Sequence, residues 1–355
     1  MKKIKLQALL LLIVMLSSCF FGCTGSGAGA NDAQSSAQTS EESVRTESES
    51  TASNNKNTND PDGRVYFVES LIDKLRDPFV LVHNGKYYVY GTGWNCYKSV
   101  MGRLDGSFMK LSNIVTRPDD AQKDFWAPEV YKYNDAFYMF TTYYSSKTQH
   151  RGCAVFRSDV PEGPFELVSD GHVTPSDWDA IDGSLYIDPD GQPWMVFVHE
   201  WTSMPDSVGA MAAAKLSDDL SHFISEPIQL FRASDAPWAK SGVTDGCFMY
   251  TASNGELLML WSSFSESGYC VGVARSDNGR LDGNWTHDKE PLYSKSVSGV
   301  YDGGHPMLFT SIEGHLYMAM HSPNSADGAR KEKPVFVPFA EADGKITLDL
   351  TKRQY

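Results

Sequence analysis

The chain has 355 residues, with 45 Asp+Glu against 31 Lys+Arg, for a formal net charge of −14. At 41% hydrophobic and 12% aromatic it is too apolar to be disordered throughout, and so acidic a chain is a poor match for nucleic-acid phosphates, which require a basic footprint. Many aromatic residues together with 29 glycines suit strands and tight turns better than a helical bundle, so an all-β fold is predicted.

Residues 1–23 read as an export signal. Lys2, Lys3 and Lys5 precede the apolar run Leu6–Leu16, which is too short to span a bilayer as a mature helix. Leu16-Ser17-Ser18-Cys19 resembles a bacterial lipobox, which makes Cys19 the expected lipid-bearing residue, with Cys23 as the alternative. Residues 24–61 are Ser, Thr, Asn, Gly and Glu with only alanines for hydrophobicity, too little apolar surface to offset the entropy of ordering. They are read as a flexible tether. The folded domain is then residues 62–355, large for a single simple core.

Within it five segments repeat one pattern: a β-rich run, a turn with Gly or Asn-Asp, and a second aromatic-rich run. They open at Asp77, Trp126, Asp182, Asp245 and His305, recurring about every 50–60 residues. The intervals carry a second recurring cue, as in Arg103-Leu-Asp-Gly-Ser-Phe108 and Arg275-Ser-Asp-Asn-Gly279. Four antiparallel strands per unit and five units make a five-bladed β-propeller. In such a fold the first strand of each blade lines the central channel, and its start lies beside the end of its hairpin partner. The strand starts should therefore share a mouth with Gly91–Trp94, Thr142–Tyr144, His199–Trp201, Ser262–Phe264 and His321–Asn324. Three Asp at strand starts are unfavourable for strand formation and suit a polyhydroxylated ligand better than packing.

At this point the sequence resembles glycoside hydrolase family 43, five-bladed propellers that cleave arabinose- and xylose-containing glycans with inversion. The matching residues are Arg76-Asp77-Pro78-Phe79, Trp126-Ala127-Pro128-Glu129, Ile181-Asp182-Gly183-Ser184-Leu185 with Asp188-Pro189-Asp190-Gly191, and Gly303-Gly304-His305. The resemblance covers nearly all of residues 70–340. It implies that Asp77 is the general base and that Asp182 is a third carboxylate, orienting the acid and raising its pKa by like-charge repulsion. Inversion calls for an acid and a base about 6.5–9.5 Å apart. The family's acid is a Glu in a Glu-Gly-Pro-like motif, whereas this chain has Thr244-Asp245-Gly246-Cys247. Two readings follow. Either Asp245 donates the proton, or Glu200 does so from the neighbouring blade; the longer side chain beside Trp201 favours Glu200.

Trp126, Trp94, Trp201, Tyr143 and Phe264 are candidates to stack on sugar faces, with Trp126 foremost, or else to pack between blades. Arg76 either hydrogen-bonds substrate or pairs with Asp77. In related propellers a His at the position of His305 reaches an axial cation, so the resemblance implies a structural calcium in the channel, while the chemistry needs no cofactor. Cys96, Cys153, Cys247 and Cys270 lack zinc-site spacing, and the sequence selects no disulfide among them. The expected protein is an exported, lipid-anchored, monomeric glycosidase acting on plant-derived polysaccharide. α-L-Arabinofuranosidase is the foremost activity; endo-arabinanase, β-xylosidase, a galactan-directed enzyme and a catalytically weak glycan-binding propeller are the alternatives.

Overall fold

The computed structural model describes residues 64–325 and 331–352, so the export signal, Cys19, Cys23 and the tether lie outside the described residues. The described residues form five antiparallel sheets. The first blade is Phe79–His83, Lys86–Gly91, Asn95–Ser99 and Phe108–Leu111. The second is Ala121–Tyr133, Ala136–Ser145, Arg151–Ser158 and Glu166–Leu167. The third is Ala180–Ile187, Pro193–His199, Ala210–Lys215 and Ile228–Arg232. The fourth is Asp245–Thr251, Leu257–Ser265, Gly268–Ser276 and Trp285–His287. The fifth contains Gly304–Thr310, Leu316–Ser322 and Lys333–Ala342, with Lys345–Leu348 paired to the last of these. The innermost strand of each sheet touches the next around a closed ring, which is the five-bladed propeller expected from the repeats.

The outer strand of the fifth blade comes from the other end of the domain. Val68–Glu69 pairs antiparallel with Lys333–Ala342, Val68 opposite Phe336, and the Phe67 N–H donates to the Thr351 carbonyl at 3.0 Å. The two ends of the domain therefore close the ring. Two residues carry no readable period, which is why this strand is invisible to pattern reading.

Middle strands are covered on both faces by neighbouring blades, so they are continuous apolar runs rather than alternating ones. Leu257–Trp261 and Met195–Val198 are entirely buried. The four cysteines of the described residues are buried free thiols within these layers.

The spacing of the hairpins is one residue out in two blades. Ladder register aligns Trp126, Ile181, Asp245 and Gly304, opposite Thr142, Val198, Ser262 and His321 respectively. In the second to fifth blades the following residue sits in a bulge, and these residues share positive φ with Asp77, just before the first strand of the first blade: Asp77 (53°), Ala127 (42°), Asp182 (56°), Gly246 (40°) and His305 (57°). Trp126 and Asp245 are thus not the counterparts of Asp77, Asp182 and His305, as their order in the repeats suggests; Ala127 and Gly246 are. Left-handed backbone at non-glycine residues is costly and persists only where surroundings enforce it.

Those surroundings are a ring of hydrogen bonds between blades. The Ala127 N–H donates to Thr92 Oγ1 at 3.0 Å, Asp182 N–H to Thr142 Oγ1 at 3.0 Å, His305 N–H to Ser262 Oγ at 2.8 Å and Asp77 N–H to His321 Nδ1 at 3.2 Å. In each case the end of one blade's second strand receives the positive-φ residue of the next blade. The left-handed turn aims the side chain at the channel mouth while its amide anchors the turn.

Candidate active site

Asp77, Asp182 and His305 meet at the mouth. His305 Nδ1 lies 3.4 Å from Asp77 Oδ1 and 3.9 Å from Asp182 Oδ2, so one buried imidazole bridges the two carboxylates. A second imidazole, His321, places Nδ1 3.3 Å from Asp77 Oδ1, and its Nε2 is 3.0 Å from Asn324 Oδ1. The Thr92 hydroxyl donates to Asp77 Oδ2. Burial alone disfavours an ionised Asp77, but His305, His321 and the nearby Arg76 outweigh it and hold the carboxyl well below the usual range. Asp77 is therefore a permanently charged acceptor at neutral pH.

Asp182 and Asp245 behave oppositely. Burial raises the Asp182 carboxyl well above the usual range against the opposing bond from Gly246 N–H at 2.9 Å, with the charges of Asp77 and Glu200 adding to the rise. Asp245 is raised by burial first and by Asp182 second, while Tyr269 donates its phenol to Asp245 Oδ2 at 3.0 Å. A charged acceptor thus faces two carboxyls biased toward holding a proton, which is the division of labour that acid/base chemistry needs.

Glu200 is also at this face, and only 3% exposed. Its Oε2 accepts from Arg151 Nε at 2.7 Å, and Arg151 is shared with Asp124 and Asp179 at 3.5 and 3.8 Å and with the Thr202 hydroxyl at 3.2 Å. Burial raises the Glu200 carboxyl and the arginine opposes that rise. The same guanidinium lies over the Trp126 ring, 5.3 Å from its centroid. Trp126 and Trp201 are half-buried against the cluster of the third and fourth blades. Trp94 is wedged among Phe125, Tyr143 and Phe156, and Phe264 packs on Tyr269. Tyr143 is completely buried against His172, so its ring is not available to a sugar.

Arg76 does not bond Asp77. It donates to the Asn324 carbonyl at 2.6 Å and to Asn324 Oδ1 at 3.0 Å, with Glu332 3.8 Å away. Among the described residues no three His, Cys, Asp or Glu side chains converge as a metal-binding group. The Nδ1 of His305 is directed at two carboxylates, and a lone imidazole is a poor donor for calcium, which prefers several oxygens.

Several members of the site escape sequence reading. Thr92, Thr142 and Ser262 fall within the strand ends that the sequence places at the mouth, but their common role as acceptors at one register position becomes legible only once the bulges are aligned. Tyr269 and Arg151 come from third strands, remote in sequence from the motifs.

A propeller whose mouth sets one ionised carboxylate against raised ones belongs, by fold and site, to the class of glycan-cleaving propellers. Residues 71–337 match the family model described as glycosyl hydrolases family 43, and the chain belongs to that family. It is similar to the crystal structure of an endo-arabinase from Bacteroides thetaiotaomicron, with 36% identity and a TM-score of 0.69, covering 79% of this chain and 100% of that one. Curated relatives include a probable arabinan endo-1,5-α-L-arabinosidase B of Aspergillus fumigatus, 26% identical over 146 residues, which are 37% of this chain and 39% of the relative. An extracellular exo-α-(1→5)-L-arabinofuranosidase of Cellvibrio japonicus is 30% identical over 163 residues, 41% of this chain and 44% of the relative. The chain thus spans less than half the length of these two curated relatives.

Proposed function

We propose that the protein hydrolyses arabinose-containing glycosides of plant polysaccharides by single displacement with inversion, foremost as an α-L-arabinofuranosidase. The observation that carries this reading is the opposition, at one mouth, of an Asp77 held ionised and an Asp182/Asp245 pair raised by burial and mutual repulsion. In this reading Asp77 takes a proton from the attacking water while an acid protonates the leaving oxygen. We assign the acid to Asp245, although side-chain length favours Glu200. Glu200 is engaged by an arginine that is itself shared among three carboxylates, and a guanidinium-bound carboxylate is a poor proton donor. Asp245 accepts only a phenol among the hydrogen bonds identified and lies beside the like charge of Asp182. The half-buried Trp126 and Trp201 and the mouth-facing Arg76 and His305 would bind sugar. Family 43 enzymes need no cofactor for catalysis, and no step here uses calcium.

A panel of aryl arabinofuranosides, xylosides and galactosides, with linear arabinan alongside, tests the reading when the product anomer is followed by NMR. Turnover of the arabinofuranoside with inversion supports it. Release of internal fragments from arabinan would make the enzyme endo-acting. A retained anomer would reject the mechanism, and oligosaccharide binding without any turnover would make the chain a glycan-binding propeller.

The protein is further proposed to be exported and held at the membrane by lipid on Cys19, on the strength of the lysine-flanked apolar run and Leu16-Ser17-Ser18-Cys19. Fatty-acid labelling that vanishes in Cys19→Ala with Cys23 intact supports that site. Labelling that persists would move it to Cys23. The working form is proposed to be a monomer, and sedimentation as a larger species would overturn that.

A further inference from the structure

The ring of hydrogen bonds between blades has one irregular link. At the end of the second strand, the first, second, fourth and fifth blades present Thr92, Thr142, Ser262 and His321, each accepting the N–H of the next blade's positive-φ residue. The third blade presents Val198, paired with Ile181 as Thr142 is paired with Trp126. Val198 is completely buried in a cluster with Ile181, Met211, Cys247 and Trp261, and its side chain has no acceptor. The amide that would have used that position is Gly246, and it donates instead to Asp182 Oδ2 at 2.9 Å.

We propose that Val198 is a positioning residue for Asp182: by withholding an acceptor from the bulge of the fourth blade, it directs the Gly246 N–H onto the Asp182 carboxylate and fixes that side chain at the mouth. The inference rests on the proposed catalytic role of Asp182.

Three further observations support it. Gly246 has φ +40°, and a Cβ there would stand 2.8–3.0 Å from the His305 ring, so only glycine lets this amide approach the mouth so closely. The Cys247 thiol donates to the Asp182 carbonyl at 3.4 Å, pinning the backbone whose side chain Gly246 holds. Asp182 is thereby fixed on both sides, its own N–H on Thr142 and its carboxylate under Gly246. Asp182 is thus a mouth carboxylate that accepts a backbone amide from the next blade.

The Gly246 bond opposes the upward pull of burial on Asp182. The other groups facing this carboxyl are Asp77, Glu200, Asp245, Glu129, Arg76, His305 and the thiols of Cys153 and Cys247. None of the others is a neutral backbone donor, so the Gly246 amide is the constant part of the field.

The decisive substitution is Val198→Thr, which keeps the side-chain shape and supplies the missing acceptor. Val198→Ser is a second hydroxyl variant should the first fold poorly, and Val198→Ala is the control without an acceptor. In the wild-type protein the Gly246 amide resonance should move with the titration of Asp182, and Asp182→Asn should abolish that movement. In Val198→Thr the movement should be lost, whereas in Val198→Ala it should persist. On substrate, Val198→Thr should lower kcat roughly tenfold with little change in KM, the scale of one charge-assisted hydrogen bond. With its donor gone Asp182 is more often neutral, repels Asp245 less, and lets the acid lose its proton earlier, so the alkaline limb moves to lower pH. A Gly246 amide that still follows Asp182 in Val198→Thr, or an equal effect in Val198→Ala, overturns the proposal. Because the resonance is read without turnover, an inactive wild-type protein would overturn the catalytic reading and leave this measurement intact.

Discussion

Tyr269 donates its phenol to Asp245 Oδ2 at 3.0 Å while its ring stacks on His321, with centroids 5.6 Å apart, and His321 in turn touches Asp77. One side chain from a third strand therefore braces both sides of the reaction site. Its hydroxyl bond stabilises the ionised form of Asp245, so removing it raises that carboxyl further. Tyr269→Phe is expected to move the alkaline limb of the pH–rate profile to higher pH. It should also lower kcat by roughly tenfold or more, as expected for loss of a bond to an ionisable partner. An unchanged alkaline limb would show that Asp245 is not the group titrating there.

Assignment of the acid separates Asp245 from Glu200 by substitution. Asp77→Asn and Asp245→Asn should each cost about 10²–10⁴ in kcat, the range for losing a positioned base or acid. Glu200→Gln should retain most of kcat on a substrate with a good leaving group. It should cost more in KM, because it disturbs the Arg151 side chain lying over Trp126. The reverse pattern would give the acid to Glu200.

What the sequence revealed and concealed follows from the physics of each signal. Hairpins announce themselves through turn residues and apolar runs, so all five inner pairs and the residues Asp77, Asp182 and His305 were readable. A bulge adds one residue without altering composition, which is why the repeat spacing puts Trp126 and Asp245 in the register of Asp77 although Ala127 and Gly246 hold that position. Contacts between strands far apart in sequence leave no local trace. The arginine that engages Glu200 lies 49 residues away, and the tyrosine on Asp245 lies 24 away. Length and neighbouring Trp favoured Glu200 in sequence because the arginine that restrains it is visible only in three dimensions.

Glu129, in the channel wall of the second blade, accepts from Tyr131, which in turn meets the Ser184 hydroxyl at 2.8 Å. Burial pushes its carboxyl up to about 8, from an ordinary value of 4.5. The folded state therefore keeps a proton that the unfolded chain releases. Its stabilising contribution is complete below about pH 4.5 and is lost progressively as pH rises toward about 8. Glu129→Gln, a neutral mimic, should flatten the fall in stability across this window and leave the protein more stable than wild type at pH 8. Urea unfolding midpoints at pH 5 and pH 8 measure this. A variant less stable at both would mean that Glu129 is ionised and paired in the native state.

The interblade ring gives a final pair of contrasting substitutions. Thr92 Oγ1 accepts the Ala127 N–H and donates to Asp77 Oδ2, whereas Thr142 Oγ1 accepts the Asp182 amide and pairs with the Cys153 thiol at 4.0 Å rather than with a carboxylate. Either Thr→Val change leaves a buried N–H without its acceptor and should cost about 1–3 kcal/mol of stability. Only Thr92→Val also strips a donor from the proposed base. Asp77 should then hold its proton more tightly, so the acidic limb of the pH–rate profile moves to higher pH in Thr92→Val and stays in place in Thr142→Val. Equal stability losses with identical acidic limbs would reduce Thr92 to a structural link and place control of Asp77 with His305, His321 and Arg76.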